Sequence, residues 1–369
     1  MVDWIRRWRR WLGMCAVLVT LMLVLACTTR RGMEPEPVRY NIYVTAGGYC
    51  SGGVQWRDVL YVYDADSLEL LDSIPLSSTF VEMAVSPDGR SIFLHGNHLR
   101  LNNAGLDTVW SIPTTGTGME ILDRGRLILY GQDWLDGSPF GYSGWLVVNT
   151  EDGSIVRTLP DSLHIGKAPI EGTEVAATVL DSHGVYIIDT IVTVIDVVTG
   201  ETRGRYIPHV GSSRALEVRY VRLHPDRTTV LALGVRSAGV AWFLVGDLQT
   251  GETLFEHRLS YYYGEVAVSA DGAMAVVTDP SKPFIWDSPR TVDIFNLDEM
   301  RHLKRFTVYT DINRASKVRF LPDDRTIVTA PMRTGPLQVI DLNTLTVIDS
   351  VYLPFNGYIG ALGLGPRPR

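Results

Sequence analysis

One recurring hairpin constrains this chain more than any other feature, and its clearest copy is residues 81–96, VEMAVSPDGRSIFLHG. Val81, Met83 and Val85 alternate with smaller or polar residues, the period-two pattern of a half-buried strand. Ser86-Pro87-Asp88-Gly89 then makes a tight turn: Pro fixes φ, Asp bonds its own backbone, and Gly accepts a positive φ. Ile92 and Leu94 begin a second strand. Relatives of this hairpin lie at residues 119–131, 174–189, 218–234, 264–279 and 317–330.

A second signal alternates with the first. A strand ends in Asp or Asn, a short polar turn follows, and another strand begins. Its copies are residues 60–74, 99–112, 146–159, 192–207, 243–259, 292–306 and 337–353. Their mean spacing of about 46 residues matches a four-stranded antiparallel blade. Asp64, Asn149, Asp196, Asp247, Asn296 and Asp341 share one place in the repeat, where a side-chain oxygen can hold the turn through N–H groups two residues on. Because they are spread around a ring, they read as structural and not as metal ligands.

The first signal is intact six times. The chain ends supply a seventh: residues 39–47 read as the second strand of such a hairpin, and residues 358–364 as its first. The expected fold is therefore all-β, a seven-bladed β-propeller over residues 39–369, closed by pairing the N- and C-terminal strands. A miscount of one weak repeat would make it six or eight blades.

Ile42-Tyr43-Val44-Thr45-Ala46 and the Ser86–Gly89 turn resemble the YVTN family of bacterial propeller repeats, with Ala46 where the family carries Asn. The resemblance covers the whole body of the chain and implies architecture. Propellers with such repeats include extracytoplasmic binding proteins, lactonase-like enzymes and electron-transfer subunits, and fold does not choose among them.

The N-terminus carries an address. Arg6, Arg7, Arg9 and Arg10 precede an apolar run from Leu12 to Ala26, shorter than the ~20 residues that span a bilayer. The run ends Val24-Leu25-Ala26-Cys27, which resembles a bacterial lipobox, with Leu25 where Ala, Ser, Thr or Val is usual. That resemblance implies residues 1–26 as a signal peptide, cleavage before Cys27, and lipid on its thiol and amine. Arg9-Arg10 also resembles a twin-arginine signal, so both export routes stand. Residues 27–38 read as a polar tether. With Cys15 and Cys27 so explained, Cys50 is left without a disulfide partner.

A net charge of -7 on 369 residues argues against a nucleic-acid partner. In up-and-down blades the first and third turns share one face, and the remaining connections share the other. The short repeat turns define the first face. The second face collects longer, aromatic-rich connections bearing Tyr49, Trp56, Arg57, Trp134, Phe140, Tyr142, Tyr262, Trp286, Arg290 and Arg314. Aromatics and Arg dominate binding hot spots, so this face is the expected site for a protein, peptide or cell-envelope glycan partner. The chain is expected to act as a monomer.

Catalytic signatures are sparse. There is no G-x-S-x-G elbow, H-E-x-x-H, paired C-x-x-C, C-x-x-C-H or phosphate-binding glycine loop. No cofactor, metal site or catalytic residue is expected. His224 replaces Ser in one turn and reads as structural, and loop acids such as Asp133, Asp136, Asp279 and Asp287 read as solvated. A lactonase-like hydrolase with its site at the channel mouth is the alternative.

Overall fold

The recurring apolar runs become seven four-stranded antiparallel sheets in the computed structural model. The structure describes residues 38–367 apart from 48–58, 77–81, 95–96, 103–104, 113–118, 134–141, 161–162, 166–171, 183–187, 212–215, 236–239, 260–264, 280–289, 310–314, 332–334 and 355–357. The propeller is the unit Tyr40–Arg369. Its first blade holds β1 (Tyr40–Gly47), β2 (Val59–Asp64) and β3 (Leu70–Pro75). The second holds β4 (Met83–Val85), β5 (Ser91–Leu94), β6 (Asn97–Asn102) and β7 (Gly105–Ser111). The third holds β8 (Met119–Leu122), β9 (Leu127–Asp133), β10 (Tyr142–Asn149) and β11 (Ile155–Leu159). The fourth holds β12 (Leu163–Ile165), β13 (Glu174–Ser182), β14 (Ile188–Asp196) and β15 (Thr202–Tyr206). The fifth holds β16 (Glu217–Leu223), β17 (Thr229–Val235), β18 (Ala241–Asp247) and β19 (Thr253–Arg258). The sixth holds β20 (Val266–Val268), β21 (Met274–Asp279), β22 (Arg290–Asn296) and β23 (Arg301–Tyr309). The seventh holds β24 (Ala315–Phe320), β25 (Thr326–Pro331), β26 (Pro336–Asp341) and β27 (Thr346–Tyr352). The last strand, β28 (Tyr358–Pro366), returns to become the innermost strand of the first blade, in the order β28-β1-β2-β3.

Burial follows position in the blade. The second strand is covered on both faces by neighbouring blades, so β25 is buried along its whole length and β17 along its middle. The fourth strand lies at the rim, and β27 is mostly exposed. The core is accordingly split into seven clusters, one per seam between adjacent blades. Tyr43 and Leu60 of the first blade meet Met83 and Ile92 of the second. Phe243 of the fifth and Phe295 of the sixth bring their rings to 4.4 Å. The closing seam packs Ile42 and Val44 against Val328 and Leu337.

The turns behave as their residues dictate. Asp196 Oδ1 accepts the Val198 and Thr199 N–H groups at 2.9 and 2.8 Å. Asp247 does the same for Gln249 and Thr250, and Asp341 for Asn343 and Thr344. In the other turn type the Ser86 hydroxyl donates to Asp88 at 2.6 Å and accepts the Ser91 N–H at 2.9 Å. These turns also touch around the ring. His224 Nε2 meets the Gly272 carbonyl at 2.9 Å, and Asp324 accepts the Ala270 N–H at 2.6 Å.

The fourth blade departs from the repeat reading. Residues 174–189 are not its first hairpin: they hold β13 and the start of β14, its second and third strands. Its innermost strand is the three-residue β12, inside the segment 161–172 that reads as a blade link. A strand of three residues carries too little alternation to register as a repeat.

Closure is tied at several points. Tyr43 pairs with Gly363 and Val44 with Leu362, and a bulge follows at Thr45/Ala46. There the Thr45 hydroxyl accepts the Ala361 N–H at 2.8 Å. Arg367 bonds Asn41 and forms an ion pair with Asp64. Gly89 sits at φ 71°, and a Cβ on it would fall on the Pro366 carbonyl. Gly365 likewise leaves room for Val85 of the second blade. Removing residues 358–369 is therefore expected to lower the melting midpoint of the whole ring in one cooperative step. Gly365→Val should cost about 1–3 kcal/mol by overpacking that seam. Both are read by thermal and urea melting, and an unchanged midpoint for the truncation would show that closure contributes nothing.

Candidate functional site

Seven innermost strands border the central channel. Their apolar residues fill the seams, and their longest charged residues reach inward. The resulting cavity of about 760 Å³ extends from Glu265 and Arg319 to the short first turns, where Pro87, Pro225 and Pro322 line it. Its described lining reaches the face of the short repeat turns. Arg124, Arg222, Arg227 and Arg319 supply its positive charge, and Glu120, Glu265 and Asp324 its negative charge.

The deep part of this site spans three blades. Glu265 precedes β20 and is largely buried. Its Oε1 accepts Arg319 Nη1 at 2.6 Å, and its Oε2 accepts the Val318 N–H at 3.2 Å. Burial opposes the Arg319 charge, but Glu265 beside it outweighs that cost, so the guanidinium pKa is raised. Removing one partner of such a pair strands a charge and typically costs about 3 kcal/mol or more. Arg222, on β16, has a different environment. Its hydrogen-bond partner is the Val266 carbonyl, at 3.5 Å, which also accepts the Tyr220 hydroxyl at 3.0 Å. Sequence reading passed over these residues, yet a signal exists. Val221-Arg222-Leu223-His224-Pro225-Asp226 aligns with Val318-Arg319-Phe320-Leu321-Pro322-Asp323. An Arg recurring at one place in an apolar innermost strand marks a channel position.

Of the expected binding residues, Tyr49, Trp56, Arg57, Trp134, Phe140, Tyr262, Trp286 and Arg314 lie outside the described residues, as does Cys27. Tyr142 and Arg290 are placed by backbone. Tyr142 opens β10 opposite Asp133, and Arg290 opens β22 opposite Tyr309. Each begins the third strand of its blade, at the end away from the short turns.

Among the described residues, one group has metal-ligand spacing: His257 on β19, Asp293 on β22 and His302 on β23, with one ligand atom each within 4.8 Å of the others. It lies toward the rim, between the fifth and sixth blades, and not in the channel. Asp293 is fully buried; Arg305 Nη2 reaches its Oδ2 at 3.0 Å and His302 Nε2 its Oδ1 at 2.8 Å. The two imidazoles stack at 4.2 Å and 19°. Burial, and then the nearby His302, hold the His257 pKa below the ordinary imidazole value. His224 is shifted the other way: burial is outweighed by Asp226 at 3.0 Å and the Gly272 carbonyl.

No family model matches this chain, and no curated protein matches it. Solved structures do. A functionally unknown protein from Desulfotomaculum acetoxidans aligns with TM-score 0.56 and 15% identity, over 89% of this chain and 99% of that one. Hydrazine synthase of Kuenenia stuttgartiensis gives TM-score 0.53 and 14% identity, over 80% and 90%. Apo AztD from Citrobacter koseri gives 0.54 and 10%, over 89% and 98%. At such identities the likeness concerns the fold: the chain is a seven-bladed β-propeller.

The two histidines give opposite pH dependences. His257 has a folded pKa below its unfolded value of 6.5, so the unfolded chain binds more protons as pH falls. Its stabilisation is full above 6.5 and is lost as pH falls through the folded pKa. The His224 contribution, with a raised folded pKa, is full below 6.5 and is lost as pH rises through the folded value. Melting His257→Phe and His224→Ser between about pH 5 and 8 should flatten the acid limb in the first variant and the alkaline limb in the second. Limbs superimposable on the parent's would exclude both couplings.

Proposed function

We propose that this chain is an extracytoplasmic, lipid-anchored propeller that serves as a binding or scaffold module, engaging a protein, peptide or cell-envelope ligand through its loop-rich face. The observation that carries the reading is the inequality of the two faces. On one face the first and third turns are short in nearly every blade, as in residues 86–90, 150–154, 224–228 and 342–345. On the other, strand-to-strand connections run to residues 48–58, 134–141 and 280–289. Long connections on a rigid ring are where binding concentrates. These three segments carry Trp56, Trp134 and Trp286. The anchor rests on the basic segment, the apolar run and the Val24–Cys27 sequence.

A lactonase-like hydrolase in the channel is the second reading. The observation in its favour is a cavity that gathers carboxylates and guanidiniums, as such chemistry needs. Against it, Glu265 is committed to Arg319 and Val318.

Two experiments test the first reading. Mass spectrometry of the membrane-derived protein should find Cys27 as the acylated first residue, and Cys27→Ser should accumulate as an unacylated precursor. Replacing Trp134 and Trp286 together by Ala should abolish partner capture from the cell envelope while moving stability by no more than about 0.5 kcal/mol. Asp88→Ala and Glu201→Ala, on the short-turn face, should leave capture intact. The reverse pattern would place the functional face on the opposite side.

A further inference from the structure

We propose that the channel cavity is a second binding site, for a small organic monocarboxylate with an apolar body, entering from the short-turn face and received by Arg222. The site lies on the face opposite the proposed partner surface and does not depend on that reading.

The first support is the state of Arg222. Its hydrogen-bond partner is one neutral carbonyl, Val266 O, at the long distance of 3.5 Å, and no carboxylate of the described residues pairs with it. A guanidinium offers five N–H donors in a planar fork, so a carboxylate can be received bidentately beside the existing contact. Arg222 is half-buried, which reduces the competition from water. Arg319, in the equivalent place two blades on, is by contrast spent on Glu265 and on the Val318 carbonyl at 2.6 Å.

The second support is charge balance. Among the described residues, four arginines and three carboxylates line the cavity, an excess of one positive charge. That excess suits a monoanion. A phosphate ester or a dicarboxylate would bring more negative charge than the lining offsets.

The third is the wall. Met83, Met119, Ile121, Phe320 and Leu321 line the same cavity. An inorganic anion at Arg222 would leave this surface wet, whereas an aliphatic or aromatic body covers it at about 25 cal/mol per Å². The methionines adapt to irregular shapes. A cavity of about 760 Å³ also lies within the usual range for small-molecule sites.

The test uses octanoate, phenylacetate and 4-benzoylbenzoate with the mature protein, followed by calorimetry and thermal shift. Octanamide, phenylacetamide and inorganic phosphate are the comparison arms. The carboxylates are expected to bind and raise the melting midpoint, and the amides and phosphate to bind at least tenfold more weakly. Arg222→Gln, which breaks no ion pair, should lower carboxylate affinity at least tenfold, and Arg222→Lys should recover part of it. Independently of any variant, irradiation with 4-benzoylbenzoate should label peptides containing Met83 or Met119. The Trp134/Trp286 double variant should bind the carboxylates as the parent does, so failure of this site and failure of the partner face are read separately. The proposal is overturned if none of the carboxylates binds, if phosphate binds as tightly, if Arg222→Gln folds and binds normally, or if labelling falls only outside the channel strands.

Discussion

The structure depends on the pairing of β1 with β28. A propeller blade has two sticky faces, and each is covered only by the next blade, so an open ring exposes apolar surface at both ends. Here the first blade is assembled from both ends of the chain. Its innermost strand arrives last, and the ring is complete only when β28 has paired along β1. The contacts around that pairing are specific. A buried hydroxyl fills the bulge, Arg367 binds Asn41 and Asp64, and glycines at 89 and 365 let the second blade close in. The closing seam has the same kind of apolar cluster as the other six, so closure is part of the core and not an ornament to it.

Closure also creates the channel. Seven innermost strands must approach one axis, which restricts them to small or apolar residues wherever they face a seam. Charged residues are tolerated only where they can reach the central space. Glu265 and Arg319 from neighbouring blades meet there as a pair, and Arg222, one seam away, bonds the Val266 carbonyl. The short turns around this mouth are bonded turn to turn, through His224 to Gly272 and Asp324 to Ala270. This face is stiffened by its own connections. The longer strand-to-strand connections, residues 48–58, 134–141 and 280–289, leave from the opposite ends of the strands.

Turn chemistry and strand alternation are local, so most of the architecture is legible in the amino-acid pattern. Asp196, Asp247 and Asp341 hold their turns through N–H groups two and three residues on, a contact that needs no distant partner. Six such Asp or Asn turns among seven repeats at a near-constant spacing, with a split hairpin at the chain ends, point to a closed ring of seven blades. The fourth blade is less legible because β12 has three residues and the sequence between it and β13 carries no copy of the repeat motif. Convergence across blades, by contrast, follows only from long-range packing. Arg222 and Arg319 lie in innermost strands and Glu265 just before β20, and they share one cavity because ring closure points three separate repeats at the same space. His257 and His302 are likewise ordinary in their own strands, and stack only because one seam brings the rim of the fifth blade against the sixth. Local pattern fixes how each blade is made; long-range packing fixes which side chains share a cavity, because that depends on the radius and order of the whole ring.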